Sequence, residues 1–570
     1  MLKPNLPNRL DLRSAYQHVP TEWDANADRW AARLKGNLGM MTIEPTTTTR
    51  FLFIGKLLLT LVFAISFQQL PLYSSNQNTY FVHGLAHADV GSLSLDWLSQ
   101  TTDPFPAFSA LVSVSIQVFG EQVFYFFYMA ILAIYIYSIL GIACVVFGID
   151  SSSEKYLSYF ALITILYSGL LVSFLSKVPG LQPFAPIFFP NGFLTRGLAG
   201  QSTLGPVFQP SVFGVFVVLS IYCFLRQKPF VAGVCLAIAA TFHASYLLSA
   251  AVLTCVYMAV IVVQEKDYRK ALFLGATILL LITPLLIYTY LNFSPTTHDI
   301  SAQAQSILVD YRIRHHAKVA TWFGASTVFQ IMVVALSIYL VRHTRIFPIF
   351  LGLFLAAVIL TTAQMLTGSK SLALLFPWRI SVLLVPIASS LIIAKIVSLV
   401  FQILNNRLSK FVRPLQAVSL AVIIMLASFG VYQTIKLLNT PRAGLTASTR
   451  FIANTYQLGN LYLIPPDLQL FRLAAKVPIF VDLKSNPYKD TDVIEWFSRL
   501  EIANDFYATS GKTACNILHN MSDKYKITHV ILKSEASMAH CELLQEIYRD
   551  ADFGIYEIRN DEAYTTLRER

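Results

Sequence analysis

Long apolar runs separated by short basic stretches dominate the first 440 residues. The runs fall near 51–67, 121–147, 156–176, 211–226, 229–243, 246–263, 271–291, 320–341, 346–366, 375–400 and 413–436. A helix needs about 20 apolar residues to cross roughly 30 Å of hydrocarbon. The pattern therefore predicts an α-helical polytopic membrane protein with about 11 transmembrane helices. The stretch 211–263 divides into either three short spans or two long ones, and the side on which the C-terminus lies depends on that division. Beyond residue 438 the period changes. The runs NLYLI (460–464), VPIFVDL (477–483), THVILK (528–533) and FGIYEI (553–558) read as strands. Helical patterns fall near 467–475, 491–509, 513–525 and 537–549, so a small, mostly parallel α/β sheet is expected.

Composition supports this division. The chain is 55% hydrophobic and 13% charged, against about 25% charged in soluble domains. A β-barrel would instead show short alternating segments. The net charge of +11 is spread over short loops, at Lys155, Arg226 and Lys228, Lys266 to Lys270, Arg342 and Arg345, and Arg407 to Arg413. Scattered cations of this kind exclude nucleic acid as a partner. They point instead to cytoplasmic loops. Residues 1–50, with seven Lys and Arg, then form a cytoplasmic N-terminal segment. Within it, 10–35 is expected to supply an interfacial helix. Residues 51–438 are the membrane domain and 439–570 a soluble extracytoplasmic α/β domain. Cys515 and Cys541 lie in that last segment. They either pair as a disulfide in an oxidising compartment or stay as core thiols.

Candidate chemistry gathers in the longer loops at 68–120, 177–210 and 292–319. The first contains Asp89, Asp96 and Asp103, two histidines spaced i, i+4 (His83 and His87), and no Lys or Arg between Gln68 and Pro104. Asp89, Asp96 and Asp103 could act as a general base or help hold a divalent metal, with Asp96, then Asp89, the favoured bases. Asp103, ahead of Pro104, suits a turn or helix cap. The second loop has six prolines, five glycines and Arg196, which could grip a phosphate. The third carries Arg312, Arg314, His315, His316 and Lys318, a basic cluster suited to a lipid phosphate. His243 lies at the end of a span, and Lys370 and Arg379 flank the start of another. In the C-terminal domain Asp467, Arg472, Asp482 and Lys484 fall near strand ends, where ligands bind in open sheets. No GxGxxG or GxxxxGK[ST] motif is present, which argues against a nucleotide site.

The layout resembles the GT-C superfamily of integral membrane glycosyltransferases, with many spans, a long first loop and a soluble C-terminal domain. The first loop resembles that of bacterial lipid-linked sugar transferases of the aminoarabinose and mannosyl type. There an acidic pair follows the first span, then a tyrosine, an aspartate–tryptophan pair, and a proline-containing start of the next helix. Here Asn76-Gln77 stands where the acidic pair would be, followed by Tyr80, Asp96-Trp97, Pro104 and Pro106. A closer resemblance is to bacterial multi-span membrane proteins sharing an NQ…HGL…DWL…DP.P pattern and a later FRLAA…PIFVDLKS…EW segment, but it carries no activity with it.

The superfamily resemblance implies an inverting glycosyltransferase that moves a sugar from a polyprenyl-phosphate donor to an acceptor on the outer face of the plasma or inner membrane. Asn76, Gln77 and Tyr80 would contact substrate, as would His243. Arg196, Arg312, Arg314, Lys370 and Arg379 would serve the phosphate. A divalent metal could assist but is not implied. Asn and Gln cannot accept a proton at neutral pH. That departure keeps open a non-enzymatic alternative: a lipid or glycan carrier, flippase or envelope-assembly protein on the same scaffold.

Overall fold

The computed structural model describes residues 47–170, 194–534 and 541–559. The expected interfacial helix at 10–35 and part of the 177–210 loop lie outside them. Contacts divide the chain into two units, Met1–Lys56 and Leu57–Arg570, and the second carries every interaction below.

Among the described residues, six helices are long and apolar enough to cross a membrane: Val123–Phe147, Ala244–Glu265, Tyr268–Phe293, Phe347–Thr367, Lys370–Arg407 and Ser409–Leu438. Five shorter apolar helices accompany them, at Ile54–Ser66, Pro106–Phe119, Pro210–Leu225, Pro229–Phe242 and Ala325–Leu340. The stretch 211–263 does break into three helices, of which only the third has spanning length by itself.

Local chemistry sets the breaks. Pro106, Pro210 and Pro229 each sit in the first turn of a helix, where a missing N–H costs nothing. Gly148 ends Val123–Phe147 in the left-handed region (φ 57°), and the Ser152 side chain then accepts from Lys155 N to start the next helix.

The most enclosed span is Lys370–Arg407, with 78% of its apolar window buried, against 22% for Tyr268–Phe293 and Ser409–Leu438 at the periphery. Pro386 lies inside it. Its missing N–H frees the Val382 carbonyl, and the Thr203 hydroxyl donates to that oxygen at 3.4 Å. A neighbouring hydroxyl thus satisfies the gap that proline leaves at membrane depth.

The first loop is a folded layer. Short helices at Gln77–Tyr80 and Val82–His87 and 3-10 turns at Leu93–Leu95 and Trp97–Gln100 lead into the apolar helix Pro106–Phe119, which the reading of 68–120 as loop did not anticipate.

The C-terminal sheet has four strands: β1 Tyr462–Leu463, β2 His529–Lys533, β3 Leu544–Arg549 and β4 Phe553–Ile558, in the order β1-β2-β4-β3. Only β1 and β2 are parallel, so the expected mostly parallel sheet is corrected to a mixed one. Residues 544–549, read as helix, are an edge strand. The turn after it is closed by Asp550, whose Oδ1 accepts from Asp552 N and Phe553 N. The run 477–483 makes one isolated bridge, Tyr462 to Ile479, because its chain turns away at Asp482. Helices Asp490–Ala508 and Gly511–Tyr525 cover the sheet through Trp496, Phe506, Leu518 and Met521. Cys515 and Cys541 form a disulfide.

Candidate functional site

Two clusters of charge meet where the first loop touches the C-terminal segment. The first is closed. Asp96, Arg472 and Asp482 are all buried, at 0%, 3% and 0% exposure. Arg472 donates from Nε to Asp96 Oδ2 at 3.0 Å and from Nη1 to Asp482 Oδ2 at 2.6 Å. Asp96 Oδ2 also accepts from Ile479 N at 2.9 Å, and its Oδ1 from Leu98 N at 3.0 Å. Asp482 Oδ1 caps the next turn, accepting from Lys484 N at 2.8 Å and Ser485 N at 2.6 Å. Burial opposes the charge on Arg472, but the two carboxylates more than offset it and hold its pKa above the ordinary value. Asp96, the expected general base, therefore has both oxygens engaged and is outside the lining of the cavities described below.

The second cluster is open. A cavity of about 420 Å³ is lined by Asn76 and Tyr80 from the first loop, Arg312, His315 and His316 from the third, and Lys484, Asn486 and Tyr488 from the C-terminal segment. Arg312 Nη2 donates to the Lys484 carbonyl, while its Nε is buried without a partner. Arg379 acts electrostatically on His316 and Tyr488, which places it beside this cavity, and its Nε is likewise unpartnered. Arg345 and Arg442 also leave Nε free, but each grips a carboxylate, Glu265 and Glu121. Among the described residues Arg312 and Arg379 have no such ion pair. Burial, then the Arg312 charge, lowers the Lys484 pKa. Burial, then His315, pushes His316 down to about 4.

A third feature adjoins these cations. An apolar cavity of about 410 Å³ lies between Ala325–Leu340, Phe347–Thr367 and Ser381–Arg407, lined by residues including Leu198, Trp322, Phe323, Ala357, Val358, Met365 and Trp378. Phe323, Val358 and Met365 are largely exposed, at 58%, 44% and 63%, so its outer wall faces the hydrocarbon expected around the spans. Two pairs of neighbouring residues connect the apolar cavity to the polar side. Leu198 lines the apolar side while Ala199 O meets His316 Nδ1 at 2.8 Å; Trp378 lines the apolar side and Arg379 follows it.

A small pocket continues from the polar cavity, sharing Thr79, Tyr80, Asn486 and Tyr488, and ends on His83 and Asp103. Asp103 Oδ1 accepts from Phe105 N at 2.8 Å, whereas its Oδ2 is buried without a donor. Burial lowers the His83 pKa against the opposing pull of Asp103. Tyr80 packs edge-on to Phe105, at 5.1 Å between ring centroids, and Phe105 against His243 at 5.0 Å.

The remaining candidates separate cleanly. Gln77 is structural, accepting from Tyr73 N at 2.7 Å and donating to Phe208 O at 3.0 Å. Asp89 is exposed on left-handed backbone (φ 51°) after the helix Val82–His87. Lys370 is taken up by Asp310 at 2.9 Å and Ser306 at 2.6 Å, and Lys318 by the other oxygen of Asp310 at 2.9 Å. Arg314 is exposed. Arg196 is half-buried and outside the lining of both cavities, though its carbonyl accepts at 3.0 Å from Gln330, which lines the apolar one. His243 is buried, with Nδ1 on Ser245 Oγ at 2.7 Å. Sequence reasoning missed Asn486 and Tyr488, whose Asn-Pro-Tyr turn was the available signal. Among the described residues no three His, Cys, Asp or Glu side chains come together as a metal would need, so no step below is routed through one.

Residues 444–503 match the family described as Domain of unknown function (DUF6798). No curated protein matches the sequence. Among solved structures the chain is distantly similar to GT-C glycosyltransferases. One is ArnT from Cupriavidus metallidurans bound to undecaprenyl phosphate, with 12% identity and a TM-score of 0.43 over 90% of this chain and 98% of that one. Another is the Archaeoglobus fulgidus oligosaccharyltransferase in the apo form, with 10% identity and a TM-score of 0.44 over 86% and 70%. The archaeal enzyme AglB in complex with an inhibitory peptide and a dolichol-phosphate gives the same values.

Proposed function

We propose that the protein binds a polyprenyl-phosphate-linked sugar and transfers that sugar to an acceptor hydroxyl with inversion. One observation carries this reading: Arg312, with no carboxylate partner, lines a polar cavity whose His316 meets Ala199 O, the residue after Leu198 of a laterally open apolar cavity, and Arg379, also without a carboxylate, follows Trp378 of that apolar cavity. A phosphate on a long isoprenoid chain matches both halves. Arg312 and Arg379 would stabilise the phosphate as it leaves. The acceptor oxygen attacks the anomeric carbon, the carbon–oxygen bond to phosphate breaks, and phosphate departs with the electron pair. Asp103 receives the acceptor proton on Oδ2, which no donor occupies, the role for which Asp96 has no free oxygen. Tyr80, Asn76 and Asn486 would contact the sugar. The short basic loops and the Cys515–Cys541 disulfide favour an extracytoplasmic C-terminal segment.

Undecaprenyl phosphate is the probe, read by thermal shift in nanodiscs. Saturable stabilisation of the wild type that weakens in Arg312→Ala and Arg379→Ala is expected; no stabilisation at any chain length sinks the reading. Asn76, a non-acid lining the cavity, favours a second reading in which the protein carries the lipid without transferring sugar. Asp103→Asn separates the two. Transfer of a radiolabelled sugar should fall about 10²- to 10⁴-fold with lipid binding retained, whereas a carrier has no transfer to lose.

A further inference from the structure

The buried triad has a geometry that plain stapling does not require. Its last member holds the turn that builds one wall of the cationic cavity. Asp482 Oδ1 fixes the Lys484 and Ser485 amides, and the Lys484 carbonyl in turn receives Arg312. The Asp482 carbonyl is held independently by Trp496 Nε1 at 3.0 Å, and Ser485 Oγ donates to Asn78 O at 3.3 Å. The connection therefore runs from the first loop (Asp96), through Arg472, to the 482–485 turn, and from there to a cation of the third loop.

We propose that Arg472 is a positioning residue. Bridging Asp96 and Asp482, it sets the 482–485 turn so that Lys484 and Arg312 converge on the bound anion. This gives the 444–503 segment a role in anion recognition, and it rests on the phosphate-binding reading above. Arg472 is outside the lining of the cavities described above and acts on the turn through Asp482. A lysine could not replace it, because one ammonium cannot present two divergent N–H groups in a planar fork to both carboxylates.

The control is a second latch of similar kind. Glu121 accepts from Lys476 at 2.6 Å and pairs with Arg442 at 3.2 Å, tying the start of Val123–Phe147 to the C-terminal segment without reaching the 482–485 turn. Loosening either latch should lower the melting temperature. Only the triad should move anion affinity.

The experiment compares wild type, Arg472→Lys, Asp96→Asn and Glu121→Gln in full-length protein in nanodiscs. Undecaprenyl phosphate titration is run alongside hydrogen–deuterium exchange of the 482–488 amides without ligand. Arg472→Lys and Asp96→Asn should weaken binding at least tenfold and speed 482–488 exchange, whereas Glu121→Gln should stay within twofold on both despite a lower melting temperature. Faster exchange with unchanged affinity, unchanged exchange in Asp96→Asn, or an equal affinity loss in Glu121→Gln would each overturn the assignment. Failure of the wild type to bind overturns the phosphate reading and this assignment together. Unchanged 482–488 exchange in Asp96→Asn alongside wild-type binding sinks this assignment alone.

Discussion

Two clusters of Asp, Arg, Lys and His lie on either side of the 482–485 turn, and their accounts differ. In the triad, both aspartates have all their oxygens engaged and the guanidinium bridges them at 3.0 and 2.6 Å. At the cavity, Arg312 leaves Nε unpartnered, as does Arg379, whose guanidinium lies over the Tyr246 ring, and no ion pair to a carboxylate reaches either among the described residues. The first arrangement is complete without a ligand; the second is not. Burial alone would have chosen the wrong cluster, since the triad is the more buried. An unmet hydrogen-bonding demand is the better mark of a site, because a buried polar group left unpaired costs about 1–3 kcal/mol and needs a reason to persist.

The same substitution in both clusters tests this contrast most severely. Arg472→Met strands two buried carboxylates about one lost cation and should cost about 3–5 kcal/mol of stability. Arg312→Met relieves cation crowding and should leave the apoprotein as stable or slightly more so. Thermal unfolding in one detergent decides it, and equal losses in the two variants would erase the distinction.

Ligand binding reverses the ranking. Removing one charge-assisted contact costs about 1.5–3 kcal/mol, so Arg312→Ala and Arg379→Ala should each weaken undecaprenyl phosphate binding by about 10- to 100-fold. Lys370→Ala should change it by less than about twofold, because Asp310 already neutralises Lys370. A large loss in Lys370→Ala would mean that the anion sits nearer Asp310 and Lys370 than the cavity does.

How far the sequence could foresee this follows from the range of each interaction. Helices show in the sequence because their apolar period is local, and the helices at 211–263 break at Pro210, Pro229 and His243, which a reader can see. The strand at 544–549 was misread because a short apolar pattern fits either period, and its identity is fixed by pairing with Phe553–Ile558. Arg312 stands out as a candidate anion ligand in the sequence because it lies in a basic loop, and the structure sets it in the lining of the polar cavity. Asp96 was misjudged because its partner is Arg472, 376 positions away. Nothing within the first loop announces that a distant arginine will claim its carboxylate. Asp103 ranks below the other two aspartates in the sequence for the converse reason: its proline neighbour suggests a cap, which Oδ1 does provide to Phe105 N, while Oδ2 has no donor.

The contrast between polar and apolar cavities can be sharpened from the lipid side. Ala357→Trp should fill much of the apolar cavity. With burial worth about 0.8 kcal/mol per methylene, the variant should lose several-fold in affinity for long-chain polyprenyl phosphate and nothing for a short, water-soluble phosphodiester. Equal losses for both probes would mean that the chain lies elsewhere.

The smallest effect is the most specific to the cavity, because it depends on one proton. His316 titrates near 4 in the folded chain against an ordinary 6.5, chiefly through burial and then through His315. Between those values the unfolded chain holds a proton that the folded chain does not. Its contribution to stability is thus complete above about pH 6.5 and is lost as pH falls towards 4. A bound anion pulls the other way by favouring the imidazolium, so binding takes up a proton. A phosphodiester probe keeps a constant charge across this range. Its affinity should therefore rise from pH 7 to pH 5, by at most about tenfold per unit, while the free protein loses stability over the same interval. His316→Gln should flatten both slopes. Affinity that stays level in the wild type would place the anion out of reach of His316, on the far side of Arg312, and would leave the imidazole as a wall of the cavity that only meets Ala199.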